Sequence, residues 1–202
     1  MPRASTTPSL PEQLPVAILE SNPHSCFLLT ESLDFAYCNS SWDRFAGENG
    51  GGTEVFASHV LSRKFLDFVP LDLRDFYAGL FAAARAGAQI MQHEYQCSSP
   101  TDFRVFRMDI YPLQAGRGFA VFNSLKVEHP HTQAALGPSD ATYKNENGLI
   151  RMCSNCRRSS RVDNPDVWDW VPSHLDRHDV THGICELCLD YYYRAYRKHK
   201  PA

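Results

Sequence analysis

Four cysteines in two matched pairs constrain the last quarter of this chain more than any other feature. Cys153 and Cys156 lie in the stretch MCSNC, Cys185 and Cys188 lie in CELC, and 28 residues separate the pairs. A C-x2-C turn presents two sulfur atoms at once, and two such turns can complete the tetrahedron of thiolates that zinc prefers. The segment is also near the size below which burial alone cannot stabilise a chain, so metal binding would supply folding energy. The spacing therefore predicts a structural Zn²⁺ held by these four cysteines.

Other uses of the four thiols stay open at this point. An iron–sulfur cluster also takes four cysteines, and each pair could form a disulfide under oxidation, which would make the segment a redox sensor. Neither pair has the βαβ setting of a thioredoxin-like motif, and inert buried cysteines would be expected singly. His182, three residues before Cys185, could replace one sulfur or donate a hydrogen bond to a thiolate. Because four cysteines already complete a tetrahedron, the supporting role is favoured.

Composition limits the class of protein. The 202 residues include twelve Phe, nine Tyr and three Trp, enough for one ordinary domain with a real core plus a small appendage. The formal net charge of −3 argues against the whole chain being an electrostatic nucleic-acid binder. No stretch approaches roughly 18 uncharged apolar residues, and the N-terminus lacks the apolar region of a secretion signal. We therefore expect no membrane contact and a cytoplasmic, reducing compartment, where cysteines bind metal or stay buried.

Strand and helix patterns follow a definite order before the cysteine-rich segment. Two β-type runs, CFLLT (26–30) and FAYCN (35–39), precede several helical stretches, and three further runs follow, QIMQHEYQC, FRVFRMDIYP and GFAVFNSLKV. In the middle run Phe106, Met108 and Ile110 alternate with Arg107 and Asp109, the period of a half-buried strand. Strands at both ends with helices between them predict an antiparallel sheet with helices on one face, the α+β class.

Capping residues divide the helical region. One of the residues 39–41, Asn-Ser-Ser, could cap the N-terminus of a short helix. Gly87 lies where a glycine commonly ends a helix. Before Gly87, a stripe of apolar residues at helical spacing is predicted to face the core: Leu73, Phe76, Leu80 and Ala84.

The stretches FAYCNSSWDRFAG, FLDFVPLDLRDFYAGLFAAARAG and FRVFRMDIYPL make residues 15–128 resemble the PAS domain family, a small sensory fold with this element order. The resemblance implies a sensor domain for a ligand or a protein, with dimer surfaces at strand edges and the N-terminal segment. Flavin photosensors of the family carry an Asn-Cys-Arg-Phe-type motif, which YCNSSWDRF does not match. Haem-binding members supply an axial histidine from the helical region, and His59 is the only histidine between residues 25 and 92. Haem at His59 stays open but is not favoured over a small apolar ligand or no ligand.

The cysteine-rich segment has a resemblance of its own. GLIRMCSNCRR, WDWVP and THGICELCLDYYY are similar to a module that follows PAS domains in many bacterial signalling proteins, and the four cysteines correspond to its paired cysteines. Thr181 stands where that module usually has serine. Apolar residues of the segment are predicted to form a minicore around the metal, namely Trp168, Trp170, Leu175, Ile184 and Tyr191–Tyr193. His174 and His178 are predicted to lie on a solvated face.

These observations predict four parts in chain order: a flexible N-terminal segment (1–14), a PAS-like sensor domain (15–128), a linker (129–147) and a cysteine-rich zinc-binding module (148–202). No G-x-S-x-G elbow, H-E-x-x-H pair or phosphate-binding loop is present, so we expect no enzyme. We expect instead a signalling protein that acts in trans, through a protein partner or as a homodimer. The tail DYYYRAYRKHKPA interleaves aromatic and basic residues, so a zinc-dependent nucleic-acid-binding regulator is the alternative.

Overall fold

The computed structural model describes residues 16–113, 117–132, 134–137 and 139–194. The predicted flexible segment 1–14 lies outside the described residues, as do the last eight residues of the basic tail. The chain divides into two compact units. The first unit comprises the chain up to Val69 together with Tyr77–His93 and Arg107–Ser124, and the second comprises Pro70–Phe76, Glu94–Phe106 and the chain from Leu125 onward. The domain boundaries drawn from the sequence stay predictions.

Helices and strands occupy most of the described chain. The α-helices are α1 (Val16–Glu20), α2 (Ser40–Glu48), α3 (Ala57–Val60), α4 (Arg74–Gly87), α5 (Asp140–Tyr143) and α6 (Glu186–Tyr192). The strands are β1 (Ser25–Leu29), β2 (Phe35–Cys38), β3 (Met91–Gln96), β4 (Asp102–Pro112), β5 (Phe119–Pro130), β6 (Ile150–Cys153), β7 (Ser159–Ser160), β8 (Trp168–Asp169) and β9 (Val180–Gly183). Among the described helices, none combines the length and the hydrophobicity needed to cross a membrane.

Five strands form one sheet in the order β2-β1-β5-β4-β3. β1 lies antiparallel to both β2 and β5, with Phe27 opposite Cys38 on one side and Val121 on the other. The helices α2, α3 and α4 lie in the chain between β2 and β3. The predicted α+β class, an antiparallel sheet with helices packed on it, is confirmed.

Aromatic rings fill the core between this sheet and its helices in the first unit. The Phe27 ring centroid lies 5.2 Å from that of Phe35 and 5.3 Å from that of Trp42. From α4, Phe81 packs edge-on against Phe65 and Phe119. Rings in such tilted and edge-on contacts add to the free energy of plain burial.

The buried stripe of α4 differs from the prediction. Tyr77, Phe81 and Ala84 are buried, whereas Phe76 and Leu80, which the sequence pattern placed in the stripe, are only half-buried. Leu73 is buried as predicted, but it belongs to a 3₁₀ turn, Leu71–Leu73, that precedes the helix. The buried row therefore advances by four residues, from Leu73 to Tyr77 and Phe81, where the sequence pattern took the i, i+3 neighbour Phe76; both spacings lie on one helix face.

The end of α4 also falls one residue later than Gly87 suggested. Gly87 is the last helical residue, and Ala88 adopts the left-handed backbone conformation with φ +44°. The Gln89 N–H then donates to the Ala84 carbonyl and closes the turn. A glycine is thus present at the helix end, but the residue that needs its conformational freedom is an alanine.

Asn39 connects three elements on the side of the sheet where α1 lies. Its side-chain oxygen accepts hydrogen bonds from the backbone N–H groups of Cys26 (3.0 Å) and Trp42 (3.1 Å), the latter as the N-cap of α2. Its side-chain nitrogen donates to the carbonyls of Leu19, Asn22 and His24. Asn39 is therefore the capping residue among the three candidates, and it also ties α1 to β1.

A second, smaller sheet organises the end of the chain in the order β8-β7-β6-β9. β6 and β9 are parallel, with Cys153 opposite Gly183, while β6–β7 and β7–β8 are antiparallel. A small core of Tyr143, Ile150 and Val171 packs beside these strands. Tyr143 belongs to α5, so part of the predicted linker 129–147 is helical and buried.

Candidate metal centre

Parallel pairing of β6 and β9 brings the two C-x2-C pairs together. Cys153 is the last residue of β6, and Cys156 follows after a tight turn. The neighbouring strand, β9, ends at Gly183. Cys185 then caps the N-terminus of α6, and Cys188 lies in the first turn of that helix. Two strands that end side by side thus deliver one cysteine pair each.

The four sulfur atoms form a compact cluster. All of the Sγ atoms of Cys153, Cys156, Cys185 and Cys188 lie within 4.8 Å of one another, and those of Cys156 and Cys185 are 3.7 Å apart. A tetrahedral ion with Zn–S bonds of about 2.3 Å requires sulfur separations of about 3.8 Å. All four cysteines are buried, at 0 to 4% exposure, and all are free thiols. These residues can hold one metal ion.

The local electrostatics lower the pKa of two of the four cysteines, Cys153 and Cys185, and raise the pKa of the other two. Hydrogen bonds from the thiols of Cys156, Cys185 and Cys188 lower the pKa of Cys153, and the Cys185 N–H adds another at 3.4 Å. The same contacts, those with Cys153 and Cys156 foremost, raise the pKa of Cys188. Like charges this close cannot all ionise alone, so a bound divalent cation would be needed to deprotonate the whole set.

A small apolar shell surrounds the sulfurs. Trp168, Ile184 and Tyr192 pack directly against the cysteine cluster, and burial raises the pKa of Tyr192 to about 12. Trp170 and Tyr193 are buried as the predicted minicore requires, whereas the Tyr191 side chain is exposed. The prediction that all of Tyr191–Tyr193 packs around the site is therefore wrong at Tyr191, which points away because successive helical residues face different directions.

Gly183 makes room for an arginine beside the site. The Arg151 guanidinium lies over the Trp168 ring, 5.3 Å from its centroid. A Cβ on Gly183 would approach the Arg151 Nε to 2.9 Å. The glycine before Ile184 and Cys185 thus permits this cation–π contact, a role that the cysteine spacing alone does not reveal.

The turn after the first cysteine pair also has a special residue. Arg157 adopts φ +62°, a conformation usually given to glycine. Its N–H donates to the Cys153 carbonyl at 3.0 Å, and the Cys153 N–H donates to the Arg158 carbonyl at 2.8 Å. These two bonds close the turn that presents Cys153 and Cys156, and no sequence signal marked Arg157 for this conformation.

The histidines singled out in the sequence lie outside the cluster. His182 is exposed on β9, opposite Met152, and is not among the four clustered residues. His59 is exposed on α3, with Nδ1 3.0 Å from the Ser58 hydroxyl. His174, expected on a solvated face, is fully buried, with Nδ1 2.8 Å from the Ser159 hydroxyl; burial, followed by the charge of Arg177, lowers the pKa of His174.

In the first unit the structure has a solvent-open depression of about 230 Å³. Its lining comes from the turn after β1 and from α4: Glu31, Ser32, Leu33, Ala78, Phe81, Ala82 and Arg85. The Arg85 side chain closes one end by donating to the Glu31 carbonyl at 2.7 Å. His59 is not part of this lining.

Comparison with known proteins gives matches to solved structures alone. No family model and no curated protein matches the chain. The phage VqmA–DPO complex is 14% identical with a TM-score of 0.40, and the match covers 55% of this chain and 50% of that one. The photoactive yellow protein domain from the sensor histidine kinase Ppr of Rhodospirillum centenum is 13% identical, with TM-score 0.39 and coverage of 55% and 92%. A PAS domain of an HTR-like protein from Haloarcula marismortui is 15% identical, with TM-score 0.36 and coverage of 55% and 87%.

Proposed function

We propose that this chain is a non-enzymatic signalling protein. In this proposal a PAS-like sensor domain acts on a separate partner molecule through a C-terminal module that a structural zinc ion holds together. The ligands of the zinc are Cys153, Cys156, Cys185 and Cys188. The observation that carries this proposal is the buried set of four sulfur atoms within 4.8 Å of one another. A reducing cytoplasm is the compartment in which such thiolates persist.

Several features favour a structural rather than a catalytic ion. Four thiolates would close the coordination sphere, whereas catalytic zinc keeps one position open for water. Trp168, Ile184 and Tyr192 cover the sulfurs, which leaves little access for a substrate. Tetrahedral thiolate sites accept both zinc and iron, and the proposal takes zinc because closed four-cysteine structural sites commonly hold it.

The output of the protein passes, in this proposal, to a protein partner or a second copy. The resemblance of residues 15–128 to the PAS family supports sensing, and the aromatic packing around Phe27 and Phe65 fills the core of the first unit. A ligand, if one is bound, would therefore need to displace rings or occupy the depression beside Arg85. His59, being exposed, offers a haem no buried axial position.

Metal analysis of the purified full chain tests the zinc proposal. We expect one zinc per chain, no visible absorption, and intense tetrahedral thiolate bands after cobalt substitution. Cys153→Ser should lose the metal and make residues 139–194 susceptible to protease, while the matched control Cys97→Ser should keep both metal and resistance. A Cys153→Ser variant that keeps its zinc and its protease resistance would show the proposal to be wrong. Visible absorption bands in the native protein would indicate bound iron instead of zinc.

The nucleic-acid alternative has weak support in the described residues. Residues 148–194 contain six Lys or Arg against seven Asp or Glu, and Arg161 and Arg177 are paired with Asp169 and Asp179. The remaining basic residues of the tail lie outside the described chain. Affinity for DNA or RNA that falls steeply with added salt would favour this alternative over the protein partner.

The redox alternative conflicts with the burial of the thiols. Oxidation by peroxide requires an accessible thiolate, and all four cysteines are at most 4% exposed. We expect peroxide to leave these four thiols unchanged while the metal is bound. Counting free thiols and zinc before and after peroxide treatment distinguishes a structural site from a redox sensor.

A further inference from the structure

The start of α4 belongs to the same compact unit as the four cysteines. Residues Pro70–Phe76 fall in the second unit, whereas the helix continues from Tyr77 in the first. Phe76 is half-buried, and its ring packs edge-on against the ring of Tyr193, with centroids 4.9 Å apart. A helix that begins far before the cysteine-rich segment thus contributes a side chain to the packing of that segment.

Tyr193 connects this contact to the first cysteine pair. It is 1% exposed, and its hydroxyl donates to the side-chain oxygen of Asn155 at 3.0 Å. Asn155 is buried and directly precedes Cys156, in the turn that presents Cys153 and Cys156. One aromatic contact and one buried hydrogen bond therefore join Phe76 to the turn that holds two of the four sulfur atoms.

Tyr193 is also fixed beside the second cysteine pair. It directly follows α6, and its N–H donates to the Leu189 carbonyl at 3.0 Å. A zinc ion needs all four sulfurs at the corners of one tetrahedron, so side chains that hold both cysteine turns in place raise its affinity. Residues that orient metal ligands without binding the metal typically change metal affinity by about 10–100-fold.

α4 continues from Phe76 into the core of the first unit. The next residue, Tyr77, is 7% exposed and packs edge-on against Phe65 and His93. One turn later, Phe81 packs edge-on against Phe65 as well. Backbone hydrogen bonds fix the spacing of residues along a helix, so a movement of α4 within this core also moves the Phe76 ring.

We propose that Phe76 is a positioning residue for the metal centre, and that α4 sets the zinc affinity through it. A movement of α4 that withdraws the Phe76 ring loosens Tyr193 and the turn that contains Asn155, so zinc binds more weakly. Because coupling free energies are reciprocal, bound zinc in turn stabilises the start of α4. This role rests on the proposed zinc site and names a regulation of that site.

Zinc affinity of the full chain, measured by competition with a chelator of known affinity, tests the role of Phe76. Phe76→Leu should weaken zinc binding by about tenfold, the lower end of the range because the residue acts through Tyr193. Phe76→Tyr keeps the ring and should retain the wild-type affinity, a rescue that a general loss of stability would not show.

The matched control is Phe68→Leu, the same change at another half-buried phenylalanine. Phe68 packs edge-on against Phe35 with centroids 5.7 Å apart, within the first unit. It loses an aromatic contact of the same kind, and its zinc affinity should equal that of the wild type.

Hydrogen exchange of the full chain tests the reverse direction. Chelation of zinc should speed amide exchange in residues 77–81 of the wild type, and this zinc-dependent difference should shrink in Phe76→Leu. Exchange in this segment that ignores zinc in the wild type would contradict the coupling.

Two affinity results would also overturn the role of Phe76. One is equal zinc affinity in Phe76→Leu and the wild type, and the other is an equal loss in Phe76→Leu and Phe68→Leu. The zinc content of the wild type separates this failure from failure of the proposed function. One zinc per chain with an unchanged affinity in Phe76→Leu counts against Phe76 alone, whereas a wild type that binds no zinc overturns both proposals.

Discussion

Tyr193 donates its phenolic hydrogen to the side-chain oxygen of Asn155 across 3.0 Å, and both residues are buried. Asn155 lies between Cys153 and Cys156, while Tyr193 directly follows α6, which carries Cys188. The Phe76 ring packs edge-on against Tyr193 with centroids 4.9 Å apart. One hydrogen bond thus connects the two cysteine segments without passing through a metal.

Tyr193→Phe should destabilise the protein by about 1–3 kcal/mol, because it leaves the buried Asn155 oxygen without its donor. Urea unfolding of the zinc-loaded chain, followed by tryptophan fluorescence, measures the loss. The matched control is Tyr191→Phe on a side chain that is 76% exposed, for which the change should stay within about 0.5 kcal/mol. Equal stability of the two variants would contradict the role assigned to the Tyr193 hydroxyl.

Asn39→Asp should lower the free energy of unfolding by about 3 kcal/mol or more. The carboxylate keeps the acceptors for Cys26 and Trp42 but cannot donate to the three carbonyls that the amide serves, and it is buried. Chemical denaturation at neutral pH provides the measurement. Asn49→Ala, at the exposed C-cap of α2, removes one side-chain hydrogen bond to the Phe45 carbonyl and should cost only about 1 kcal/mol. A loss of stability in Asn39→Asp no larger than in Asn49→Ala would contradict the role assigned to the Asn39 side-chain amide.

Ala88→Gly should stabilise the protein by up to about 1 kcal/mol, because glycine adopts the positive φ of this residue without a Cβ clash. Thermal unfolding detects the rise in melting temperature. Ala82→Gly makes the same chemical change in the interior of α4 and should destabilise by about 1 kcal/mol. If both variants lose stability equally, Ala88 is not left-handed in solution.

Stability should rise with pH between about 4 and 6.5 in a way that depends on His93. Burial lowers the pKa of His93 to about 4 from 6.5, so within this window the unfolded chain binds the proton and the folded chain does not. The stabilisation is full above pH 6.5, falls as the pH drops, and levels off below 4. Unfolding of His93→Phe and wild type from pH 4 to 8 should show a smaller slope in the variant. Metal loss in acid affects both proteins, so parallel curves would contradict this assignment.

Local pattern predicted much of the larger sheet and its helices. The alternation of Phe106, Met108 and Ile110 anticipated a half-buried strand, and all three are buried in β4. Asn39 was among the predicted caps, because the N-cap preference depends on a single side chain reaching its own helix. Such features depend on residues close in sequence, so they can be predicted before the fold is known.

Other features depended on which elements meet. Asp109 alternates with the apolar residues of β4, yet it is buried, because Gln92 and Arg107 both donate to its carboxylate. Phe76 packs against the distant Tyr193 ring, and the burial of His174 follows from its contacts with Ser159 and Tyr143. Residues distant in sequence supply these partners, so no local sequence pattern predicts these contacts.

By itself the sequence determined the element order before the cysteine-rich segment, the α+β class and the four thiols that a metal ion could bind, because periodicity and the C-x2-C spacing are properties of short stretches. Tertiary structure decided that parallel pairing of β6 with β9 brings those thiols within 4.8 Å. It also decided that the Tyr193 hydroxyl donates to Asn155 and that β5 extends past the end of β1. These outcomes depend on strand pairing and side-chain packing between distant segments, whose free energy exists only once the chain has folded.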